Sequence, residues 1–312
     1  MKNTLVVILG PTGIGKTGVA IEIARRFNTG IISADSRQFY IEMMIGTAVP
    51  DESQLRLVKH HFVRFLPIDK YYSASLFERD VLNLLPALFS NSGIAVMAGG
   101  SGMYIDAVCN GIDDIPDIEP SIREKFNRKF REEGIESLRI DLKILDPEYY
   151  SRVDLKNHKR IIRALEICET TGRPYSAFLA KSRPSRDFGV IKIGLEMERD
   201  KLYNRLDKRV DEMIRNGLEE EAGKLSEFRE LNALKSVGYT EFFSYFDGKI
   251  SREKAIELIK RNTRRYAKRQ ITWWRKDKTI KWFNPDNIEE MFNYISAGIT
   301  QHPFDSPRPA QD

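Results

Sequence analysis

The stretch "TLVVILGPTGIGKTGVAIEIARRF", residues 4–27, decides the fold. Its apolar beginning predicts a buried strand, and the segment after the glycines carries apolar residues at helical spacing. The loop between them, from Gly10 to Thr17, fits the pattern GxxxxGK[ST]. Backbone N–H groups of such a loop, together with the N-terminus of the following helix, attract an anion. The sequence therefore predicts a strand, loop and helix that hold a diphosphate.

Every residue of this loop is a candidate for holding the diphosphate: Gly10, Pro11, Thr12, Gly13, Ile14, Gly15, Lys16 and Thr17. Lys16 adds a positive charge, and the Thr17 hydroxyl is a candidate ligand for Mg²⁺. The pattern indicates a phosphate group more strongly than it indicates ATP. A chance match in a strand, loop and helix is the alternative.

The first third of the chain alternates between short apolar strands and longer helical segments. "GIISA" and "IAVMA" predict two more strands, and "FVRFLPI" predicts a possible third. "SASLFERDVLNLLPALF" predicts a helix that Ser75 and Glu78 open as a capping box. Strands separated by helices imply a parallel sheet. The predicted fold class is α/β, with a P-loop NTPase-like three-layer core around a parallel sheet and an inserted small all-helical domain.

Composition changes mark the borders of the insertion. Two prolines and four acids interrupt the pattern at "GIDDIPDIEPS", residues 111–121, and charged helical sequence follows to about Arg186. The strand-like "VIKIGLEM" begins at Val190. We therefore predict a core formed by residues 1–115 and 190–300, an insertion at 116–189, and a flexible tail at 301–312.

Two long helices are predicted in the last third of the chain. "RDKLYNRLDKRVDEMIRNG" ends at Gly217, which suits a helix C-cap. "REKAIELIKRNTRRYAKRQITWWRK" follows Ser251, which suits an N-cap.

The composition is that of an ordinary globular protein and excludes several classes. Of the 312 residues, 41% are apolar and 30% charged, and no segment approaches the roughly 20 apolar residues that span a membrane. We expect a cytoplasmic monomer without membrane association. Cys109 and Cys168 are far apart and predict core positions rather than a disulfide or a zinc site. Adjacent strand residues face opposite ways, so His60 and His61 are expected to support the structure rather than share a metal.

Asp35 is the best candidate for an acid beside the phosphate. A kinase or ATPase usually has an acid after a neighbouring strand, but "IAVMA" ends in Gly99 and Gly100. Asp35 directly follows "IISA" and could support Mg²⁺ or accept a proton from a nucleophile. The alternative is that Asp35 and Ser36 only form a turn or a cap.

Positive charge is concentrated in one late segment. Residues 252–281 contain twelve Lys or Arg against three Asp or Glu, whereas the whole chain has a formal charge of +5. A local cationic stripe is what a polyanion binds, because neutralised phosphates release counterions. A second stripe, at Lys156, Arg160 and Arg163, would alone suit a solvated helix face. In the late segment, Trp273 and Trp274 follow the cluster of arginines and lysines at 261–269, and the two stripes together favour RNA.

Several motifs, taken together, carry a more specific resemblance. They are "GPTGIGKT", "ADSRQFY" followed by "IGTAVP", "GGSGMY", "RALEI", "VGYTE" and "YAKRQITWWR". In this order and at these separations, from Met1 to about Phe283, the chain resembles the tRNA dimethylallyltransferases, also called tRNA isopentenyltransferases. That family transfers a dimethylallyl group from dimethylallyl diphosphate to N6 of the adenosine 3′-adjacent to the anticodon.

The resemblance implies a role for each matching residue. The loop from Gly10 to Thr17 would bind the prenyl diphosphate, with Lys16 on the leaving group and Thr17 on Mg²⁺. Asp35 would be the general base. The residues implied to border the flipped adenine or its channel are Ser36, Arg37, Gln38 and Ser101. Those implied to hold the tRNA anticodon stem-loop are Arg123, Lys159, Arg160, Ile161, Ile162 and Arg163. "YAKRQ" is assigned to the catalytic core and its RNA-facing surface.

This sequence departs from the family pattern at three positions. Ser101 stands where the family commonly has Thr, which keeps the hydroxyl. Met103 stands where it has Leu, and His158 where it has Asp. None of these changes touches the loop or Asp35.

Two other functions fit part of the pattern. A P-loop kinase or ATPase acting on a small molecule would bind ATP in preference to a prenyl diphosphate. An RNA-binding or assembly factor that uses the loop as a switch would bind RNA in a salt-sensitive way without modifying it.

Overall fold

We describe the protein from a computed structural model, in which residues 3–113, 118–179 and 184–301 are described. The chain divides into two compact units. Of the described residues, the first unit holds 3–110 and 185–301, and the second holds 111–113, 118–179 and 184. Parts of the predicted linker, residues 114–117, and of the predicted tail, residues 302–312, lie outside the described ranges.

The first unit is built on one parallel sheet. Its strands are β1 (Thr4–Leu9), β2 (Ile31–Ala34), β3 (His60–His61), β4 (Ile94–Gly99), β5 (Gly189–Leu195) and β6 (Lys281–Phe283). They lie in the order β3-β2-β4-β1-β5-β6, and each neighbouring pair is parallel. The central strand β1 pairs with β4 from Thr4 opposite Ile94 to Leu9 opposite Gly99. The carboxyl ends of β1 and β4 therefore lie side by side.

Twelve α-helices occur in the described residues. They are α1 (Lys16–Arg26), α2 (Glu52–Leu57), α3 (Ala74–Ser92), α4 (Gly102–Asn110), α5 (Pro120–Leu145), α6 (Pro147–Arg152), α7 (His158–Thr171), α8 (Arg199–Arg215), α9 (Leu218–Lys224), α10 (Tyr239–Phe246), α11 (Arg252–Trp274) and α12 (Ile288–Gln301). Short 3₁₀ helices cover Tyr175–Phe178, Ser226–Phe228 and Asn232–Leu234.

Helices cover both faces of the sheet because β1 is apolar on both sides. Val6 and Ile8 belong to a core with α1, α8 and α12, whereas Leu5 and Val7 belong to a core with α3 and α4. Successive strand side chains point to opposite faces, which explains the division. The predicted α/β class, with a three-layer core around a parallel sheet, is confirmed. Both cysteines are buried, as predicted.

Two local predictions were wrong in detail. The segment "FVRFLPI" is not a strand: β3 is His60–His61, just before it, and within the segment Leu66 makes only an isolated bridge with Tyr40. The cap of α3 is Ser73 rather than Ser75, since the Ser73 side chain accepts a hydrogen bond from the Leu76 N–H. The predicted end of α8 is confirmed: the helix stops at Arg215, and Gly217, just after the C-cap Asn216, has a left-handed φ of +96°.

The predicted start of the long basic helix is confirmed. The Ser251 side chain accepts a hydrogen bond from the Lys254 N–H at the start of α11. An N-cap of this kind satisfies an N–H group that the helix itself leaves unpaired.

The second unit is helical and has its own core. α5 and α7 bury Phe126, Leu138, Leu142 and Leu165 against each other. α5 is interrupted at Gly134, whose φ of +79° is non-helical. These observations support our division of the chain into a discontinuous core and an insertion, which we keep as a proposal. No helix among the described residues is long and apolar enough to cross a membrane.

Candidate functional site

The phosphate loop, residues 10–17, connects β1 to α1 at the carboxyl edge of the sheet. The Lys16 ammonium folds back over the loop and donates to the carbonyls of Gly10, at 3.0 Å, and Pro11, at 2.8 Å. Gly15 precedes α1 with a φ of +106°, in the region where glycine is favoured. Ile14 is fully buried in the core, backbone included, so the prediction that it contacts the diphosphate is corrected.

A cavity of about 1020 Å³ opens over this loop. Thr12, Gly13, Gly15, Lys16 and Thr17 line one side of it. Its cationic lining residues are Lys16, Lys201, Arg205, Lys208 and Arg209, and its acidic ones are Asp35, Asp51 and Glu212. The positive excess beside a phosphate loop suits an anionic ligand.

Burial lowers the pKa of Lys16 from 10.5 to about 8. Desolvation penalises the charged ammonium, and the nearby Arg209 guanidinium acts in the same direction. Asp35 opposes both effects and raises the pKa of Lys16. Lys16 therefore interacts with both a cation and an anion, and its charge changes around pH 8.

Asp35 follows β2 and lines the same cavity as the phosphate loop. One carboxylate oxygen, Oδ1, accepts a hydrogen bond from the Arg37 N–H at 3.1 Å. The carboxylate thus makes the local turn that sequence offered as the alternative, and it also faces the cavity. The two interpretations of Asp35 are compatible, because a carboxylate has a second oxygen.

Ser36 and Ser101 bring two segments together beside Asp35. The Ser101 hydroxyl accepts from the Ser36 N–H at 2.9 Å and donates to the Ser36 hydroxyl at 3.2 Å. The Ser101 N–H in turn donates to the Ala34 carbonyl, just before Asp35. Ser101 therefore fixes the segment that carries Asp35.

Steric contact explains why no acid follows β4. A side chain at Gly99 would place its Cβ 2.1 Å from the Ala34 carbonyl oxygen, and one at Gly100 would lie 2.3 Å from Nε2 of Gln270. The close approach of β2 and α11 thus requires glycine at both positions. Asp35, which directly follows the neighbouring strand β2, is the acid that acts electrostatically on Lys16 of the loop.

Gln38 also lines the cavity, with its carboxamide held on both ends. Its Nε2 donates to the carbonyls of Thr47, at 3.2 Å, and Ala48, at 3.0 Å. Its Oε1 accepts from the Ser33 hydroxyl at 3.2 Å. These bonds fix the orientation of the Gln38 carboxamide. Its Oε1 keeps a second lone pair that can accept a further hydrogen bond.

Sequence reasoning missed Arg205 and Arg209 at this site, whereas Gln270 ends the "YAKRQ" motif that the resemblance assigned to the catalytic core. Gln270 of α11 accepts from the Thr12 N–H at 2.8 Å and donates to the Gly100 carbonyl at 2.9 Å, so it ties the phosphate loop to the turn before Ser101. Arg205 and Arg209 of α8 face the loop, and the Arg209 guanidinium donates to the Thr12 hydroxyl at 3.4 Å. Their spacing of four residues puts both on one face of α8. That spacing was visible, but nothing in the sequence showed what the face packs against.

The exposed side of α11 carries a basic groove of about 430 Å³. It is lined by Arg265, Lys268, Arg269, Thr272, Trp273 and Lys276. The Trp273 side chain is 46% exposed, although its Nε1 donates to Asp106 at 3.1 Å. The other tryptophan, Trp274, is buried in the core. Cations around an exposed aromatic ring form a surface that suits phosphates and unstacked bases.

In the second unit the predicted RNA-binding residues fall into two groups. The first group is cationic. Lys159 and Arg160 are exposed, whereas Arg123 and Arg163 both pair with the buried carboxylate of Glu166. The Arg123 guanidinium donates to both oxygens of that carboxylate, at 2.7 and 3.0 Å. The side chains of Ile161 and Ile162, in contrast, lie in the core of this unit. The prediction that these two contact tRNA is therefore corrected: their side chains hold α7 in place.

His60 and His158 contact neighbouring groups of the protein. His60 lines the cavity, and its Nδ1 lies 2.9 Å from the Val58 carbonyl. Burial lowers its pKa. The His158 ring stacks on Phe130 with centroids 4.3 Å apart, which explains why an aromatic ring is accepted there. The described residues contain no cluster of three His, Cys, Asp or Glu that could hold a metal ion.

Comparison with known proteins gives one answer. Residues 38–277 match the family model for IPP transferase. The tRNA dimethylallyltransferase of Christiangramia forsetii is 53% identical over 300 residues, which cover 96% of this chain and 99% of that protein. The tRNA dimethylallyltransferase 1 of Phocaeicola vulgatus is 49% identical over 297 residues, 95% of this chain and 99% of the relative.

Solved structures agree. The crystal structure of the full-length tRNA isopentenylpyrophosphate transferase from Bacillus halodurans is 34% identical, with a TM-score of 0.70, and the match covers 96% of this chain and 98% of the other. A eukaryotic dimethylallyltransferase acting on tRNA shares the fold, with a TM-score of 0.78 at 23% identity over 98% of this chain and 82% of that one. A phosphate loop facing an acid, in a chain matched over almost its whole length by these enzymes, leads to one assignment: the chain belongs to the IPP transferase family, whose relatives reported above are tRNA dimethylallyl- and isopentenyltransferases.

Proposed function

We propose that this protein transfers a dimethylallyl group from dimethylallyl diphosphate to N6 of the adenosine 3′-adjacent to the anticodon of tRNA, releasing diphosphate. The observation that carries the proposal is that Lys16 and Asp35 line one cavity with a cationic excess. The names of the relatives supply the substrate class. Membership of the family and the α/β fold are independent of these finer assignments.

In the proposed reaction the N6 nitrogen attacks C1 of the dimethylallyl group, and the bond from C1 to the diphosphate oxygen breaks. The bonding electrons leave with the diphosphate. Lys16 and the phosphate loop stabilise that charge, with Arg205 and Arg209 facing the same loop. Preorganised donors aimed at developing charge are usually the largest catalytic contribution.

Asp35 accepts the proton that N6 loses as it becomes bonded to carbon. An exocyclic amine conjugated with adenine is a poor nucleophile, so removal of its proton in the transition state accelerates the reaction. Asp35 is positioned for this by its bond to the Arg37 N–H, which leaves the second carboxylate oxygen for the substrate. The proton is on Asp35 at the end of the step.

The donors present fit a magnesium ion shared with the substrate. The Thr17 hydroxyl and the Asp35 carboxylate both line the cavity and supply hard oxygen atoms. Mg²⁺ is usually bound through one or two such groups together with substrate phosphates. When bound, the ion would neutralise diphosphate charge, with Thr17 as its protein ligand.

The adenine must leave the anticodon loop to reach this cavity. Flipping costs a few kcal/mol and least in single-stranded RNA. Gln38 lines the cavity, and its fixed carboxamide oxygen can accept from the amine of the base. Ser36, Arg37 and Ser101 border this position, next to Asp35.

The proposed tRNA surface has two parts. In the second unit, Arg123, Lys159, Arg160 and Arg163 are candidates for the anticodon stem-loop. In the first unit, the basic groove of α11 suits the RNA backbone. Most contacts between proteins and nucleic acids go to phosphates and position the chain rather than specify sequence.

The experiment that tests the function combines the protein, dimethylallyl diphosphate, Mg²⁺ and unmodified tRNA. Digestion to nucleosides and mass spectrometry should then reveal a prenylated adenosine. The same reaction with ATP in place of the prenyl diphosphate is the control for a kinase or ATPase. RNA binding without a modified nucleoside would contradict the proposal and favour an RNA-binding factor.

The pH dependence of substrate capture should follow Lys16. Its pKa of about 8 means that the ammonium is charged below that pH and neutral above it. Because the diphosphate is anionic, kcat/KM for dimethylallyl diphosphate should fall as pH rises through about 8. The ratio kcat/KM reports groups of the free enzyme, so this is the parameter to measure. Lys16→Arg, which stays charged, should shift the fall to higher pH; an unchanged profile would contradict the assignment.

The basic groove of α11 should control affinity for tRNA but not for the diphosphate. Lys268→Ala removes a cation that lines the groove. We expect KM for tRNA to rise and the slope of log affinity against log salt to decrease by about one. Lys254→Ala is the matched control, since Lys254 lies fourteen residues earlier on α11, about 21 Å away, and pairs with Glu257. Equal effects of the two substitutions would argue against the groove.

A further inference from the structure

The loop of residues 43–50, which we call the wall loop, forms one side of the cavity. The wall-loop residues that line the cavity are Met44, Ile45, Ala48, Val49 and Pro50. Ala48 has a φ of +48°, a left-handed conformation that costs free energy in a residue with a side chain. Such a loop persists only where its surroundings hold it in place.

One carboxylate, Glu221 of α9, binds three successive backbone N–H groups of this loop. Its Oε2 accepts from Met44 at 2.9 Å and Ile45 at 2.8 Å, and its Oε1 accepts from Gly46 at 2.9 Å. Successive N–H groups that converge in this way form a concave site for an anion. Here a side chain of the same chain supplies the anion, although it comes from about 175 residues away.

Tyr239 of α10 completes the arrangement. Its hydroxyl donates to Oε1 of Glu221 at 2.7 Å, and its ring is fully buried. The loop passes so close that a Cβ at Gly46 would lie 2.5 Å from that hydroxyl oxygen. Burial and Glu221 raise the pKa of Tyr239, which keeps the hydroxyl protonated as a donor.

The wall loop in turn holds Gln38. Residues 44–46 of the loop are bound to Glu221 through their N–H groups, and Thr47 and Ala48 follow directly. The carbonyls of Thr47 and Ala48 accept the two hydrogen bonds that Gln38 Nε2 donates. The orientation of the carboxamide therefore depends on the placement of the loop, and the loop depends on Glu221. This chain of contacts links a residue outside the cavity lining to the proposed position of the base.

We propose that Glu221, held by Tyr239, is a positioning residue for the transfer reaction, and that it acts by fixing the wall loop and through it the carboxamide of Gln38. The proposal rests on the proposed function for its catalytic readout. Misplacement of a substrate-positioning group by about 1 Å can cost roughly 100-fold in rate. The phosphate loop is held separately by Gln270, so affinity for inorganic diphosphate is independent of Glu221.

The first test is Glu221→Gln, which keeps the size and shape of the side chain. It replaces one accepting oxygen by an NH₂ group, which cannot accept a hydrogen bond from the N–H groups of the wall loop. We expect kcat to fall roughly 100-fold while the affinity for inorganic diphosphate is unchanged. Hydrogen exchange of the peptide that contains residues 44–46 should become faster, whereas exchange in the phosphate loop should not. Glu220→Gln, at an exposed position on the same helix, is the matched control and should alter none of these quantities.

A double-mutant cycle tests the route through Gln38. If Glu221 acts by orienting Gln38, then Glu221→Gln should add little loss of kcat in a Gln38→Ala background. Full additivity would overturn the proposal, and so would wild-type kcat in Glu221→Gln with unchanged exchange at residues 44–46. Tyr239→Phe removes one hydrogen bond to the carboxylate and provides a milder second variant if Glu221→Gln does not fold. Absence of transfer by the wild-type protein would refute the proposed function instead. Hydrogen exchange would still test whether Glu221 holds the wall loop.

Discussion

Replacing Asp35 by asparagine should lower turnover by roughly 10² to 10⁴ while tRNA binding is retained. The asparagine side chain keeps an oxygen to accept from the Arg37 N–H, so the local turn survives. It cannot take up the proton that N6 loses. Single-turnover transfer of the dimethylallyl group, with enzyme in excess, measures the chemical step directly. Asp35→Ala should abolish turnover in the same assay.

The control for this substitution is Asp69→Ala. Asp69 is exposed and pairs only weakly, at 3.6 Å, with its neighbour Lys70. It should leave both turnover and tRNA binding unchanged. Near-normal turnover in Asp35→Asn would refute the assignment of the general base, and loss of tRNA binding in that variant would show that Asp35 acts in binding rather than in proton transfer.

The second large effect is expected at Lys16. Lys16→Ala removes a half-buried cation of the phosphate loop, and loss of one such group typically costs about 10² to 10³ in kcat. The affinity for dimethylallyl diphosphate should fall as well, because the same charge acts on the bound substrate. Isothermal titration with the diphosphate and single-turnover kinetics separate these two effects.

Lys201→Ala is the matched control for Lys16→Ala. Lys201 also lines the cavity, but it is exposed and pairs with Glu198 at 3.2 Å. An exposed charge is screened by water, so its removal should have a small effect. Equal losses from the two substitutions would show that the cavity needs total positive charge rather than an ammonium at the phosphate loop.

The part of the site that follows from local sequence was predictable. The phosphate loop needs glycines, a lysine and a hydroxyl at fixed spacing, and this pattern identifies it at Gly10 to Thr17. Asp35 was found because it directly follows a strand of a parallel sheet, where ligands bind. The sequence shows Gly99 and Gly100 at the end of β4, where a kinase or ATPase usually has an acid. The structure shows that a side chain at either position would clash with its neighbours.

The part that depends on distant contacts was not predictable. The resemblance assigned Gln270 to the catalytic core but not its contact with Thr12, which lies 258 residues away in sequence. Glu221 lies about 175 residues from the loop it holds. Periodicity places such residues on a helix face but does not identify what the face packs against. The same limit applies to Arg205 and Arg209.

Errors at element ends have local causes. Ser73 and Ser75 both lie just before the first large apolar residues of α3, and each has a hydroxyl that suits an N-cap, so the sequence alone does not separate them. At α7, alternation of basic and apolar residues was correct, but it placed Ile161 and Ile162 in the core and Arg160 on the surface. A run of sequence assigned to RNA as a block is thus divided by the helix into two faces. The expected monomeric state and cytoplasmic location stay predictions.

The most direct measurement is a crystal structure of the protein with an anticodon stem-loop and an unreactive thio-analogue of dimethylallyl diphosphate. The account predicts the diphosphate on residues 10–17 and the carboxylate of Asp35 within about 3 Å of N6 of an everted adenine. An adenine nucleotide bound in the phosphate loop during turnover, or Asp35 turned away from the base, would contradict it.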